Sequence, residues 1–259
     1  MEGGWGRKEG RKEKENEKEK EKERFFFSCS ETNRDRRSDL LEREYMNEKK
    51  NQKIRGRDLK VALFIAEQGA TRLSTITRYL ATQGINIDPR EVRRICERLE
   101  NHQFLKRKQI LTGSSVVWPT AKGLKLAGLQ AFSGERFSNP SMELLLHSIL
   151  VSEVRVVYES NGAEWICERK IRDLFPNHLP DGLVIYEGQR IIVEIDRTRK
   201  QKDRLITIMK LNIFAFSGNS IVDYWVTKDT YQFVNAQKQL LPEGIKERVR
   251  VFLLSEELI

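Results

Sequence analysis

The chain has 259 residues, with 47 Lys/Arg against 38 Asp/Glu and a net charge of +9. That length allows one large or two small domains, and the three cysteines, Cys29, Cys96 and Cys167, lack the paired spacing of a zinc site. No apolar run approaches the roughly 20 residues that cross a bilayer. With no signal peptide either, the expectation is a soluble protein of the reducing cytoplasm with no membrane partner.

Charge divides the chain into unequal parts. Residues 1–56 hold 17 Lys/Arg and 14 Asp/Glu, residues 57–140 hold 14 and 7, and residues 141–259 hold 16 and 17, for net charges of +3, +7 and −1. A positive excess concentrated in the middle segment favours a polyanionic partner, most simply nucleic acid.

From Arg7 to Arg24 the sequence is almost wholly Lys, Arg and Glu. Such a stretch buries too little apolar surface to offset its ordering entropy, so residues 1–56 read as a disordered charged leader and linker.

Residues 57–132 read as the first domain. Asp58 is placed to cap a helix carrying Leu59, Val61, Ala62, Leu63, Ile65 and Ala66. A second helix spans about Thr71 to Thr82, and Asp88-Pro89 opens a third, with Asp as N-cap and Pro at the first helical position. A hairpin follows from Phe104 to Trp118, then a helix from Thr120. This order is that of a winged helix-turn-helix. At 100° per residue, Val92, Ile95, Cys96 and Leu99 share one face of the third helix and Arg90, Arg93, Arg94 and Arg98 the other. The arginines are candidates for contacts in the major groove of double-stranded DNA, and Lys106, Arg107 and Lys108 on the wing for phosphate contacts. Glu97 intrudes on the arginine face.

Residues 141–259 turn to mixed α and β. Ser141 can cap a helix ending before Asn161-Gly162, followed by a short strand at Trp165–Glu168. Next come Leu183–Tyr186 and Arg190–Asp196 as a hairpin about Glu187-Gly188. A helix from about Lys202, a strand at Ile221–Val226, a helical segment around Tyr231–Leu240 and a strand at Arg248–Leu254 complete the chain. With that turn, facing residue numbers in the hairpin sum to 375, and Asp181 lies opposite Glu194 with Cβ atoms about 5 Å apart. Two carboxylates so placed repel unless a proton or a divalent cation lies between them.

The order αβββαβ(α)β fits the nuclease fold whose motif is written PD-(D/E)XK, so the expected class is α+β in two domains. Asp181, Glu194 and Glu168, with Glu153 as an alternative to Glu168, are the candidate ligands for Mg²⁺ or Mn²⁺. Position 196, where that motif has lysine, is Asp. Lys210 on the next helix is the candidate to replace it; Arg199 and Lys200 are expected to lie outside the cleft. Asp196 as a further ligand is an alternative. His147 reads as a hydrogen-bonded packing histidine, and His102 and His178 have no partners at metal-ligand spacing. No serine-triad, Walker or dinucleotide motif is present.

Taken together, Val117-Trp-Pro-Thr-Ala-Lys-Gly123, His147, Ser152-Glu-Val154, Pro180-Asp181-Gly182, Glu194-Ile-Asp-Arg-Thr198 and Lys210-Leu-Asn-Ile-Phe214 resemble the replication-relaxation family of plasmid and mobile-element proteins. The resemblance covers roughly residues 57–230. It implies a DNA-binding protein acting in plasmid replication, DNA relaxation or mobilisation, alongside other proteins of those processes, with a nuclease-like second domain. An active Mg²⁺-dependent endonuclease or nickase and a winged-helix transcriptional regulator are the two alternatives.

Overall fold

The computed structural model describes residue 54 and residues 56–111, 114–131, 140–216 and 220–255. The expectations for the charged leader, and for the tip of the first hairpin, lie outside the described residues. Residues 55–259 form one compact unit.

This unit is α+β. Its first part runs α1 (Gly56–Gln68), β1 (Thr71–Arg72), α2 (Leu73–Thr82), α3 (Pro89–Asn101), β2 (Leu105–Leu111), β3 (Ser114–Pro119) and α4 (Ala121–Leu126), with the strands antiparallel in the order β1-β3-β2. Asp88 caps α3 by accepting from the Arg90 amide at 2.6 Å, and Pro89 occupies the first turn, where its missing N–H costs nothing. Val92, Ile95, Cys96 and Leu99 are fully buried, as the helical angle requires. Asp58 is not the cap expected of α1. It lies inside the helix, and its carboxylate is taken by the Arg98 side chain.

The second part runs α5 (Met142–Ser160), β4 (Glu164–Cys167), α6 (Glu168–Ile171), β5 (Gly182–Tyr186), β6 (Gln189–Asp196), α7 (Lys202–Ile213), β7 (Ile221–Val226), α8 (Lys228–Lys238), α9 (Glu243–Lys246) and β8 (Val249–Leu253). The sheet is mixed, in the order β4-β5-β6-β7-β8; β4, β5 and β6 pair antiparallel, while β6, β7 and β8 pair parallel through helical crossovers. The β5–β6 register sets Gly182 against Val193 and Tyr186 against Gln189, so the expected sum holds. Glu187 and Gly188 turn the hairpin with φ of 49° and 75°, the left-handed pair that matches the twist of the flanking strands.

The strand period then assigns the faces. Ile191, Val193 and Ile195 pack with Leu150, Val151 and Val154 of α5. Ile192, Glu194 and Asp196 point to the opposite side, where α7 lies, and all three are buried. Strand β6 is thus covered on both faces, which accounts for its near-continuous apolar run.

Helix α5 also packs on the first part of the chain. Leu145 and Ile149 join Ala70, Val116 and Trp118 in an apolar cluster. Beside it Thr71 Oγ1 lies 2.9 Å from Ser152 Oγ, and Glu153 accepts from Thr75 and from Arg78, each at 2.5 Å. Arg155 donates to Glu67 at 2.7 Å and to Glu159 at 2.9 Å. Its guanidinium also lies over the Phe64 ring, 4.9 Å from the centroid.

Candidate functional site

The C-terminal end of β6 gathers charge. Asp181, one residue before β5, is held by two donors: His147 lies 2.8 Å from its Oδ1, and the Ile195 amide donates to its Oδ2 at 2.7 Å. A tight approach fixes its position, because a Cβ on the neighbouring Gly182 would come 2.2 Å from the Trp165 ring. Burial opposes ionisation of Asp181, yet His147 and the Ile195 amide outweigh it and hold the carboxyl below the usual range. Burial likewise works against the His147 cation, and Asp181 overcomes it, raising the imidazole above its ordinary value.

On the α7 side of the strand, Glu194 Oε1 lies 2.6 Å from His178 Nε2 and accepts from Asn212 Nδ2 at 2.8 Å. The Lys200 ammonium stands 2.5 Å from Asp196 Oδ1 and 3.8 Å from Glu194 Oε2. Burial, reinforced by Asp181, pushes Glu194 up; burial also raises Asp196, against the pull of Lys200. Glu168, at the start of α6, is raised to about 7 by burial and by the Asp181 charge. Three of four carboxylates are therefore held above their ordinary values. Burial is the first cause of each rise, and the Asp181 charge adds to all three.

The structure brings Asp181, Glu194 and Glu168 into one electrostatic neighbourhood and corrects three expectations. Lys210 is exposed, because it stands two residues, or about 200°, from Asn212, which faces Glu194. Lys200, expected to lie outside, places its ammonium beside Asp196 and Glu194. Glu153 faces α2 and is bound to Thr75 and Arg78, so it is not available to the site. His147, read as a hydrogen-bonded packing histidine, and His178, without a partner at metal-ligand spacing in the sequence, each lie within hydrogen-bond distance of one of the two central carboxylates.

No sequence signal placed His178 or Asn212 there. The four-residue spacing of Asp196 and Lys200 was visible, but only the loop geometry folds the lysine back over the strand end.

Clustered carboxylate oxygens, as hard donors, suit a divalent cation in kind. No group of three or more His, Cys, Asp or Glu side chains already converges as a ligand set among the described residues. A cation on these carboxylates would share both Asp181 oxygens and Glu194 Oε1 with their protein partners, while among the described residues Glu194 Oε2 has only Lys200, 3.8 Å away.

The arginine surface is partly engaged. Arg90, Arg93 and Arg94 are exposed on α3, as are Lys106 and Lys108 on β2. Arg98, by contrast, donates to Asp58 at 2.8 and 2.9 Å and reaches Glu91 at 3.4 Å, and Arg107 pairs with Glu97 at 3.3 Å and Glu100 at 3.4 Å. Those two arginines serve the helix packing and the strand–helix contact. Glu97, which intruded on the arginine face, is the carboxylate that holds Arg107.

No helix among the described residues is long and apolar enough to cross a membrane. No protein-family model, curated protein or solved structure matches this chain.

Proposed function

We propose that the protein binds double-stranded DNA and hydrolyses a phosphodiester bond at the Asp181/Glu194 site, in the manner of a plasmid or mobile-element protein of replication or relaxation. In this reading residues 57–132 are a winged helix whose exposed Arg90, Arg93 and Arg94 meet the duplex, and residues 141–259 are a PD-(D/E)XK nuclease-like domain. The observation that carries it is the Lys200 ammonium, 2.5 Å from Asp196 and 3.8 Å from Glu194, which supplies the cation missing at position 196.

Asp181 and Glu194, with Glu168, would hold Mg²⁺ or Mn²⁺. Such an ion supplies Lewis-acid chemistry, lowering the pKa of water and neutralising charge on the scissile phosphate. Lys200 stabilises negative charge developing on a phosphate oxygen, and the site's low polarisability makes that contact stronger than in water. Asn212 fixes the rotamer of Glu194, and the Ile195 amide fixes that of Asp181.

Supercoiled plasmid incubated with the protein and Mg²⁺ or Mn²⁺ should become nicked or linear, and Asp181→Ala should abolish this while leaving DNA affinity intact. Unchanged plasmid topology at high protein concentration would refute the hydrolytic part. A second reading, DNA binding without hydrolysis, is favoured by one feature: both Asp181 oxygens and Glu194 Oε1 already have protein partners. Retarded but uncut DNA would establish that version.

A further inference from the structure

The segment from Arg197 to Arg204 carries five cations, Arg197, Arg199, Lys200, Lys202 and Arg204, against one carboxylate, Asp203, although residues 141–259 as a whole are slightly acidic. Only Lys200 spends its charge on the site's carboxylates. Arg197 donates to the main-chain carbonyl of Glu143 at 3.3 Å, and Arg199 donates twice to that of Asp229, at 3.1 and 3.2 Å. Hydrogen bonds to neutral carbonyls orient a guanidinium without cancelling its charge. Lys202 and Arg204, on the first turn of α7, are exposed, and neither they nor Arg197 and Arg199 join an ion pair among the described residues.

The loop is also held in place. The Asp196 carbonyl accepts from the Thr227 amide at 3.4 Å and from Thr230 Oγ1 at 3.3 Å, and the Arg197 carbonyl accepts from Thr227 Oγ1 at 3.1 Å. Two anchored arginines, Arg197 and Arg199, therefore lead into the exposed Lys202 and Arg204 beside an acidic centre that would by itself repel a polyanion.

We propose that Arg197–Arg204 is a second DNA-contacting surface, independent of α3, which grips backbone phosphates of the duplex next to the Asp181/Glu194 site. It rests on the reading of the protein as DNA-binding, and it adds a sequence-independent contact. Phosphates gripped at Lys202 and Arg204 bring the neighbouring phosphodiester to the carboxylates. The same positive charge offsets their repulsion over the screening length, about 8–10 Å in physiological salt.

The test measures binding of the full chain to a fluorescein-labelled duplex by anisotropy in EDTA, across a KCl titration. Lys202→Ala/Arg204→Ala alters two exposed side chains, and thermal unfolding of the variant checks its fold. Losing two phosphate contacts should make the slope of log K against log salt shallower by about 1.8 and weaken binding by roughly tenfold or more at moderate salt. Lys202→Gln/Arg204→Gln should behave alike. An unchanged slope in both loop variants, with a shallower one in Arg90→Ala/Arg94→Ala, would overturn this surface and leave the DNA-binding reading standing. Failure of the unaltered protein to bind duplex would overturn both. A shallower slope in the loop variants alone would support this surface and move the other contact away from α3.

Discussion

Lys200 reaches Asp196 across a single loop, its ammonium 2.5 Å from Oδ1, so the cation of the site comes from four residues beyond the strand position at which it was sought. Burial disfavours the charge on that ammonium, and the Glu194 and Asp196 carboxylates more than restore it, raising its pKa. The two carboxylates thus favour the ammonium form of Lys200.

Lys200→Ala should lower the single-turnover rate of plasmid nicking by about 100-fold or more, the scale of losing one preorganised electrostatic contact to the transition state. Lys210→Ala, at an exposed position outside the site, should leave that rate unchanged. Equal losses in the two variants would show that Lys200 has no special part.

The Arg155–Glu67 pair predicts a stability effect far from the chemistry. Arg155→Met leaves Glu67 without its main partner in a largely buried setting, at a cost of about 3–5 kcal/mol in urea denaturation. Burial raises the Glu67 pKa, but Arg155 and Lys170 prevail and bring it down from 4.5 to about 2. A depressed carboxylate contributes stability above its unfolded pKa and loses it as pH falls through the folded one. The stability difference between the protein and Glu67→Gln should accordingly be full above pH 4.5 and shrink toward pH 2.

Glu168 has the opposite sign. Its carboxyl is raised from 4.5 to about 7 by burial and by Asp181, so the folded state holds a proton that the unfolded chain releases earlier. Stability from this group is present below pH 4.5 and declines as pH rises through 7. Glu168→Gln keeps a neutral side chain at every pH, so the variant should gain in Tm relative to the unaltered protein between pH 5 and pH 8. A constant Tm difference across that range would refute the raised pKa.

Gly182→Ala would set a methyl group 2.2 Å from the Trp165 ring. Overpacking at a strand start should cost about 1–3 kcal/mol, and the displaced backbone should disturb Asp181 next to it. Denaturant unfolding together with the nicking rate would report both.

On α3, Arg98→Ala should reduce stability, because it leaves the buried Asp58 carboxylate unpaired. Arg90→Ala/Arg94→Ala should leave the unfolding midpoint within error and weaken duplex binding. A fall in stability from the exposed pair would mean that these arginines support the fold.

The register of the hairpin, its turn, the cap of α3 and its buried face were all legible in the sequence. Each depends on contacts within a few residues and on the fixed periods of helix and strand, so Glu187-Gly188 alone was enough to set Gly182 opposite Val193. The α+β class followed from the same periods. Which charges meet was a different matter. Arg98 and Arg107 lay on the expected faces but are spent on Asp58, Glu91, Glu97 and Glu100. Lys200 and Lys210 exchanged places because a loop's path and a helix's rotation against the sheet are set by packing among residues distant in the chain. His147 and His178 came to Asp181 and Glu194 in the same way, one from α5 and one from the segment before β5. Local periodicity determined the elements and the hairpin register; tertiary packing alone decided what surrounds Asp181 and Glu194, because buried charge settles on whatever opposite charge or hydrogen bond the completed fold brings within reach.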